Sequence, residues 1–308
     1  MGKSSLSVSN YLLVQKEGNE NEVLQKYRND VNVLYGAQVD DVSFGTDGAK
    51  IQLDVNNWVT NNTNGLIKTI LDSSPDPDTY AMILNAIYFK GQWQNKFSST
   101  STRKMIFCNK GANEKEVDFM VKLRKNFPYK EVNISGEEVQ VLEMEYEADD
   151  MSMVILLPRL NDSLQRILSA DDFASNMRSA IANLSVGLER RIMNLFIPKF
   201  KLETDYSLVP TLSDLGITKI STPGQADLSG INGQRNLFVS KIKHKAVVKV
   251  DEDGTEAAAV TRVDAFTRSG VSHTVPAINF KADHPFVFLI RKSDRTRSLH
   301  RQSGRPVN

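Results

Sequence analysis

The sequence of 308 residues is poor in the side chains from which disulfides, metal clusters and many active sites are built. It has a single cysteine, Cys108, so neither a disulfide within the chain nor a cysteine-rich metal cluster is possible. Only four histidines are present, and none is spaced from another as in the zinc motif HExxH. Glycine-rich phosphate loops and the GxSxG motif of hydrolases are missing as well. We therefore expect no enzyme activity, no metal and no other cofactor.

Long apolar runs are also missing. No run approaches the roughly 18 residues that span a membrane. The first ten residues contain no apolar segment of the kind found in secretory signals. Hydrophobic residues nevertheless make up 40% of the chain and charged residues 24%, which is typical of a protein that buries a core. The sequence thus predicts a folded protein that does not span a membrane.

The net charge of +1 conceals a basic stretch near the end of the chain. Residues 291–305 contain six basic residues and one acid, Asp294, hence a net charge of +5. The basic residues are Arg291, Lys292, Arg295, Arg297, Arg301 and Arg305. Such a concentration of charge can bind a polyanion, a nucleic acid or a glycan. The alternative is a solvated tail without a partner.

Hydrophobic periodicity indicates an α+β fold. Apolar residues recur at helical spacing over residues 23–34 and 51–59, and shorter helical patterns cover 164–168 and 208–215. Apolar or alternating runs typical of strands cover residues 82–89, 151–157, 192–197, 237–250 and 286–290. His244 lies in one of these alternating runs, so we expect a hydrogen-bonded core histidine there. Helices precede strands without regular alternation, which suggests the α+β class, and no composition break marks a linker.

One polar segment directly follows a predicted strand. Residues 251–262 read DEDGTEAAAVTR, a poor strand by composition. If the segment were extended, the small residues Thr255, Ala257, Ala259 and Thr261 would share one face. It could then enter a sheet with its small side chains against a packed layer. The alternative is a flexible polar loop with a short helical patch of alanines.

Several motifs, in order along residues 8–291, resemble those of the serpins, the serine protease inhibitor superfamily. DEDGTEAAAVT resembles the hinge of inhibitory members, and ILNAIYFKGQWQNKF (83–97) their central strand and the following turn. Further similar segments are LDVNNWVTNNTNGLI (53–67), LGITKI (215–220), ADLSGI (226–231) and KADHPFVFLIR (281–291).

The resemblance implies a metastable, monomeric serpin fold. It would form one domain over 1–308, with three β-sheets, surrounding helices and an exposed reactive loop at about residues 252–276. In this family a protease cleaves the loop and is trapped as an acyl-enzyme while the loop inserts into the largest sheet. About 14 inserted residues at about 3.4 Å each would carry the protease some 48 Å. By this resemblance, the hinge residues of the present sequence are Glu252, Gly254, Thr255, Glu256, Ala257, Ala258 and Ala259.

The family's scissile bond follows the fourteenth residue counted from the hinge threonine, which is Arg268, followed by Ser269. An arginine there fits the S1 pocket of trypsin-like proteases, whose buried aspartate pairs with a guanidinium. The loop is slightly long for the family, so Phe266, which would suit a chymotrypsin-like protease, and Arg262 remain alternatives.

Two polar pairs match residues that restrain sheet opening in the family. Asn85 and His244 match a hydrogen-bonded pair across the central strands. Glu252 and Lys199 match an ion pair at the top of the sheet, near Trp93. By analogy, breaking either pair eases opening and favours polymers.

Both ends depart from the family pattern. The chain begins where serpins have already formed several helices, which predicts uncovered apolar surface. Residues 298–303 read SLHRQS where serpins have an apolar strand, although the last five residues, GRPVN, resemble the family's ending. The leading hypothesis is an inhibitor of trypsin-like serine proteases, and the alternatives are a non-inhibitory carrier or chaperone, or an inactive truncated isoform. Because serpins are mostly secreted, we expect an extracellular protein; the missing signal leaves the cytoplasm as the alternative.

Overall fold

A computed structural model describes residues 5–16, 23–109, 113–147, 151–184, 186–255 and 276–292. The strands in chain order are β1 (Ser5–Gln15), β2 (Ala37–Val42), β3 (Ala81–Gln92), β4 (Arg103–Asn109), β5 (Asn113–Ile134), β6 (Glu137–Glu145), β7 (Met151–Pro158), β8 (Glu189–Pro198), β9 (Phe200–Ser207), β10 (Lys241–Val250), β11 (Gly254–Thr255), β12 (Ile278–Lys281) and β13 (Val287–Lys292). The α-helices are α1 (Gln25–Tyr35), α2 (Phe44–Asn62), α3 (Ser163–Ser169), α4 (Phe173–Ala182), α5 (Leu208–Asp214) and α6 (Ser229–Asn232). Among these described residues, no helix combines the length and the apolar character that a membrane crossing requires.

The described residues divide into two compact units, the first formed by 6–89 and 201–248 and the second by 90–200 and 249–292. A six-stranded sheet has the order β2-β1-β3-β11-β10-β9. Its central strands β3 and β10 pair directly and in parallel from Met82 opposite Lys241 to Tyr88 opposite Val247. Farther along, the short strand β11 lies between them. The two central strands are thus in contact at one end and separated by a third strand at the other.

Helices cover both faces of this sheet in the first unit. On one face, α2 buries Phe44, Ile51, Val55 and Val59 in a core that includes Met82 and other even-numbered residues of β3. On the opposite face, Tyr27 and Val31 of α1 pack in a core with residues of β1 and β2. Successive side chains of a strand point to opposite faces, and β3 is apolar on both, with Met82 and Leu84 in one core and Ala81 and Ile83 in the other.

The second unit contains the other sheets. β5 is 22 residues long and has a β-bulge between Lys122 and Lys125. Its beginning pairs with β4 and its end with β6, while β8 pairs along its middle. Strands β6, β7 and β13 continue on one side and β8 and β12 on the other. Two of the three expected sheets therefore share β5 and form one hydrogen-bonded network, and the α+β fold is confirmed.

Most predicted elements are present. The strands predicted at 82–89, 151–157 and 192–197 are confirmed as β3, β7 and β8, and the helices at 51–59 and 164–168 as α2 and α3. The prediction was wrong at 237–240, which precedes β10 rather than belonging to it. On α1, Val33, Leu34 and Tyr35 are largely exposed.

Candidate functional site

The predicted hinge begins inside the sheet. After β10 the chain turns at Asp251 and returns as β11, and the turn is closed by two backbone hydrogen bonds between Asp251 and Gly254, of 2.9 and 3.2 Å. Thr255 lies opposite Val250 on β10 and opposite Gly91 on β3, antiparallel to both. Residues 254 and 255 thus already form a strand between the two central strands.

Gly254 is required by its backbone and by its surroundings. Its φ of +152° is unfavourable for residues with a side chain. A Cβ at this position would lie 1.9 Å from the carbonyl oxygen of Gly91, far inside van der Waals contact. The sheet therefore accepts the hinge only with glycine here.

Thr255 is completely buried and hydrogen-bonded. Its exposed fraction is 0%, and its Oγ1 lies 2.9 Å from the hydroxyl of Tyr146, which is also buried. Burial raises the pKa of Tyr146, although the hydrogen bond with Thr255 acts to lower it. Tyr146 is therefore neutral at physiological pH. The hydroxyls of Tyr146 and Thr255 can form a hydrogen bond with each other, and no unpaired charge is buried.

Trp93 fixes the turn before the hinge. Its ring is stacked on that of Tyr146, with centroids 4.5 Å apart and planes inclined by 11°. Its indole Nε1 donates to the carbonyl of Asp251 at 2.9 Å, and its backbone N–H donates to the carbonyl of Asp253 at 2.8 Å. Trp93 thus binds the turn through both its side chain and its backbone.

The predicted ion pair at this place is formed. The Nζ of Lys199 lies 2.8 Å from Oε2 of Glu252, and the hydroxyl of Thr102 donates to Oε1 at 2.6 Å. Burial acts to raise the pKa of Glu252, but the hydrogen bonds from Lys199 and Thr102 outweigh it and hold that pKa below its ordinary value. Burial, together with the charges of Asp251 and Glu252, raises the pKa of Asp253. We call the residues Trp93, Thr102, Tyr146, Lys199, Glu252, Gly254 and Thr255 the hinge site.

The second predicted pair lies in the first unit. His244 and Asn85 are register partners on β10 and β3, and Nδ1 of His244 is 2.7 Å from Oδ1 of Asn85. The ring of Tyr206 on β9 lies nearly parallel to the imidazole, 6.3 Å away. The expectation of a hydrogen-bonded histidine is confirmed, with a half-buried rather than a fully buried ring.

Several predicted residues cannot be placed. Glu256, Ala257, Ala258, Ala259, Arg262, Phe266, Arg268 and Ser269 lie in 256–275, outside the described residues, as does the basic tail from residue 293. Arg291, counted with that tail, lies in β13 and binds the buried carboxylate of Glu143 at 3.0 Å. Its charge is thus compensated by a buried carboxylate of the protein.

Three contributing residues escaped the sequence analysis: Tyr146, Thr102 and Asn10. Tyr146 follows β6 and Thr102 precedes β4, so neither lies near the hinge in sequence. Asn10 contacts Asn85 across 75 residues of chain. No local pattern marks such residues, because their partners are set by tertiary structure.

Comparison with known proteins identifies one family. The family model described as "Serpin (serine protease inhibitor)" matches residues 1–300. Iripin-8 of Ixodes ricinus is 37% identical over 274 residues, which are 88% of this chain and 65% of the relative. Intracellular coagulation inhibitor 1 of Tachypleus tridentatus is 37% identical over 93% of this chain and 65% of its own length. The chain therefore spans about two thirds of the length of these relatives.

Solved structures agree with this assignment. Serpin48 of the insect Tenebrio molitor superposes with a TM-score of 0.78 at 26% identity, covering 94% of this chain and 73% of that structure. Human thyroxine-binding globulin, in complex with thyroxine, superposes with a TM-score of 0.79 at 25% identity, covering 95% and 72%.

Proposed function

The chain belongs to the serpin family, and on that premise we propose that it inhibits a serine protease as a suicide substrate, with the loop that follows the hinge as bait. The name of the relative Intracellular coagulation inhibitor 1 supports an inhibitory role. The hinge site is consistent with an inhibitory role, because the loop that a protease cleaves must be connected to a sheet into which it can insert.

The observation that carries this proposal is β11 between β3 and β10. Both residues of β11 pair with β3, and Thr255 also pairs with β10, so a strand position exists in which the rest of the loop can continue. The next residues, Glu256 to Ala259, include three alanines, whose small side chains suit a tightly packed layer. Each added residue can contribute backbone hydrogen bonds of about 0.5–1.5 kcal/mol net. Insertion after cleavage is then strongly downhill.

We further propose that the cleaved bond is Arg268–Ser269 and that the target is trypsin-like. The argument is the count of fourteen residues from Thr255 and the fit of a guanidinium to an S1 aspartate. Phe266 and Arg262 remain the alternative positions. Extracellular action stays a prediction, and the name of the relative from Tachypleus tridentatus supports the intracellular alternative.

Incubation with trypsin tests the inhibitory function. We expect a band of summed mass on a denaturing gel for the wild type. Thr255→Arg should leave the loop cleavable but abolish this band, since a guanidinium cannot replace a side chain with 0% exposure beside Tyr146. Thr211→Arg, on the exposed surface of α5, is the matched control and should keep the band.

Substitution of the proposed scissile residue extends the same experiment. Arg268→Ala should abolish the complex with trypsin, whereas Arg262→Ala should retain it. Cleavage without a stable complex in the wild type would overturn the proposed inhibition. A stable complex with Thr255→Arg would overturn the assignment of the hinge.

A carrier function is the second candidate, and a cavity in the second unit favours it. The cavity measures about 480 Å³, within the range of small-molecule sites. Val132, Val141, Leu156 and Leu184 form apolar lining, and Lys130 is among the polar lining residues. Thyroxine, the ligand of the similar human globulin, is a suitable probe. Saturable binding in equilibrium dialysis, lost in Leu156→Arg, would support this function.

A further inference from the structure

We propose that Asn10 is a positioning residue that orients the side chain of Asn85 toward His244, and so fixes the direction of a hydrogen-bonded chain across the three strands β1, β3 and β10. The pair Asn85–His244 was expected, but Asn10 was not. The proposal rests on the proposed function only where it concerns opening of the sheet.

The three side chains form a continuous series. Nδ1 of His244 lies 2.7 Å from Oδ1 of Asn85, and Nδ2 of Asn85 lies 2.7 Å from Oδ1 of Asn10. Nδ2 of Asn10 in turn donates to the backbone carbonyl of Tyr35 at 2.9 Å. Tyr35 is the last residue of α1. The series therefore runs from the end of a helix across β1 and β3 to β10.

Its direction follows from the carbonyl at its end. A peptide carbonyl can only accept a hydrogen bond, so the amide nitrogen of Asn10 must face Tyr35 and its oxygen must face Asn85. Asn85 must then donate to Asn10 and is left with its oxygen toward His244. A second carbonyl, that of Ser9, lies 3.5 Å from Nδ2 of Asn85, at the limit of a hydrogen bond, and weakly favours the same orientation. His244 must consequently carry a proton on Nδ1.

The same arrangement determines where the series breaks. Asn85 has two acceptors on the side of β1, Asn10 and the carbonyl of Ser9, but a single bond to His244 on the side of β10. If β3 and β10 separate to admit a strand, the bond between Asn85 and His244 is the one that must be lost. Asn10 keeps the side chain of Asn85 hydrogen-bonded to β1. The amide oxygen of Asn85 therefore stays oriented so that its hydrogen bond with His244 can form again.

The tautomer of His244 provides a direct test. We expect nitrogen-resolved NMR of the imidazole rings, assigned with a His244→Gln variant, to show the Nδ1–H form of His244 in the wild type. Asn10→Asp should keep that form, because a carboxylate also accepts from Asn85. In Asn10→Ala the amide of Asn85 loses its 2.7 Å acceptor and retains the carbonyl of Ser9, which at 3.5 Å is too distant to hold it in place. The amide can then rotate, so that the Nε2–H form becomes populated. Asn32→Ala, which removes a 3.4 Å hydrogen bond to Ala37 near the same helix end, is the matched control and should change nothing.

Amide hydrogen exchange gives a second measurement. In Asn10→Ala we expect the amides that pair β3 with β10 to exchange about three- to tenfold faster, the effect of one lost hydrogen bond. An Nε2–H tautomer in the wild type, or an unchanged tautomer in Asn10→Ala, would overturn the proposal. Neither measurement involves a protease. The role of Asn10 can therefore be confirmed even if the protein inhibits no protease, and it can be disproved even if the protein does inhibit one.

Discussion

At the scale of single residues, the hinge site joins buried polar groups through matched partners. The carboxylate of Glu252 accepts from Lys199 and Thr102, and the hydroxyls of Thr255 and Tyr146 bind each other. Leaving one member of a buried pair without its partner costs more free energy than the bond contributes when made. Single substitutions should therefore destabilise the hinge site, and a matched double substitution should destabilise it by less than the sum of the two single ones.

The pair of Glu252 and Lys199 predicts sensitivity to acid. In the folded protein the pKa of Glu252 is lowered from its ordinary value of 4.5. The ionised carboxylate therefore stabilises the hinge site above pH 4.5. This stabilisation is lost as the pH falls through the lowered pKa. Trp93 reports on the hinge, and a Trp58→Phe background removes the other tryptophan. We expect the fluorescence of Trp93 to change below about pH 4.5.

A matched variant separates Glu252 from its neighbour. Glu252→Gln should remove this acid transition, at a cost of about 1 kcal/mol in stability at pH 7, because the ion pair is partly exposed to solvent. Asp253, whose pKa is raised, responds in the opposite sense, so Asp253→Asn should leave the transition in place. An identical transition in Glu252→Gln would contradict the role given to this carboxylate.

The hydroxyl pair predicts a coupled double-mutant cycle. Tyr146→Phe deprives buried Thr255 of this partner and should lower the free energy of unfolding by about 1–3 kcal/mol. Thr255→Val deprives Tyr146 in the same way. The double variant should lose less than the sum, because no unmatched hydroxyl of the pair remains. Urea denaturation measures all four proteins, and additive losses would show that the two hydroxyls are not coupled.

At the scale of secondary-structure elements, β11 depends on Gly254. A methyl group there would collide with the carbonyl of Gly91, so Gly254→Ala should prevent the pairing of residues 254 and 255 with β3. Proteolysis near the hinge should then become faster. Gly45→Ala on α2 is the matched control, since a Cβ there meets nothing within 4 Å and alanine favours a helix. Equal proteolysis of the two variants would argue against the position of β11.

The secondary-structure elements that could be predicted from sequence are those with a clear hydrophobic periodicity or with an apolar run that stops at a proline. β7 and β8 are apolar runs that stop at Pro158 and Pro198, and α2 shows its buried face at helical spacing. β9 was not predicted, because this edge strand is mostly exposed and its sequence FKLETDYS is polar. β1 was not predicted either. Its apolar residues 11–14 are buried on both faces, and so short a run has no distinguishing period.

The residues of the hinge could be predicted from sequence, but not all of their contacts. Its residues were found through resemblance to a family, and the ion pair with Lys199 was expected. The hydrogen bond between Thr255 and Tyr146, and the insertion of residues 254 and 255, depend on how distant segments meet in three dimensions. A composition of acids, glycine and alanine favours a loop, and tertiary pairing overrides that preference at residues 254 and 255.

At the scale of the whole molecule, the proposed mechanism predicts that cleavage stabilises the protein. About 13 further inserted residues, at about 1 kcal/mol each, would raise the melting temperature by on the order of 20 °C. Calorimetry of intact and loop-cleaved wild-type protein measures this difference. Thr255→Arg, cleaved in the same way, should gain little. Equal melting temperatures for the intact and cleaved wild type would mean that no strand is added.

The margins of the six-stranded sheet carry a further consequence. Among the described strands its outermost members are β2 and β9, and they bear Asp40 and Asp41 on one and Lys201, Glu203 and Asp205 on the other. Charged side chains on an outer strand deter neighbouring molecules from adding strands of their own. The outer strands are thus protected against strand addition by other molecules, while between β3 and β10 the chain's own residues 254 and 255 already form a strand.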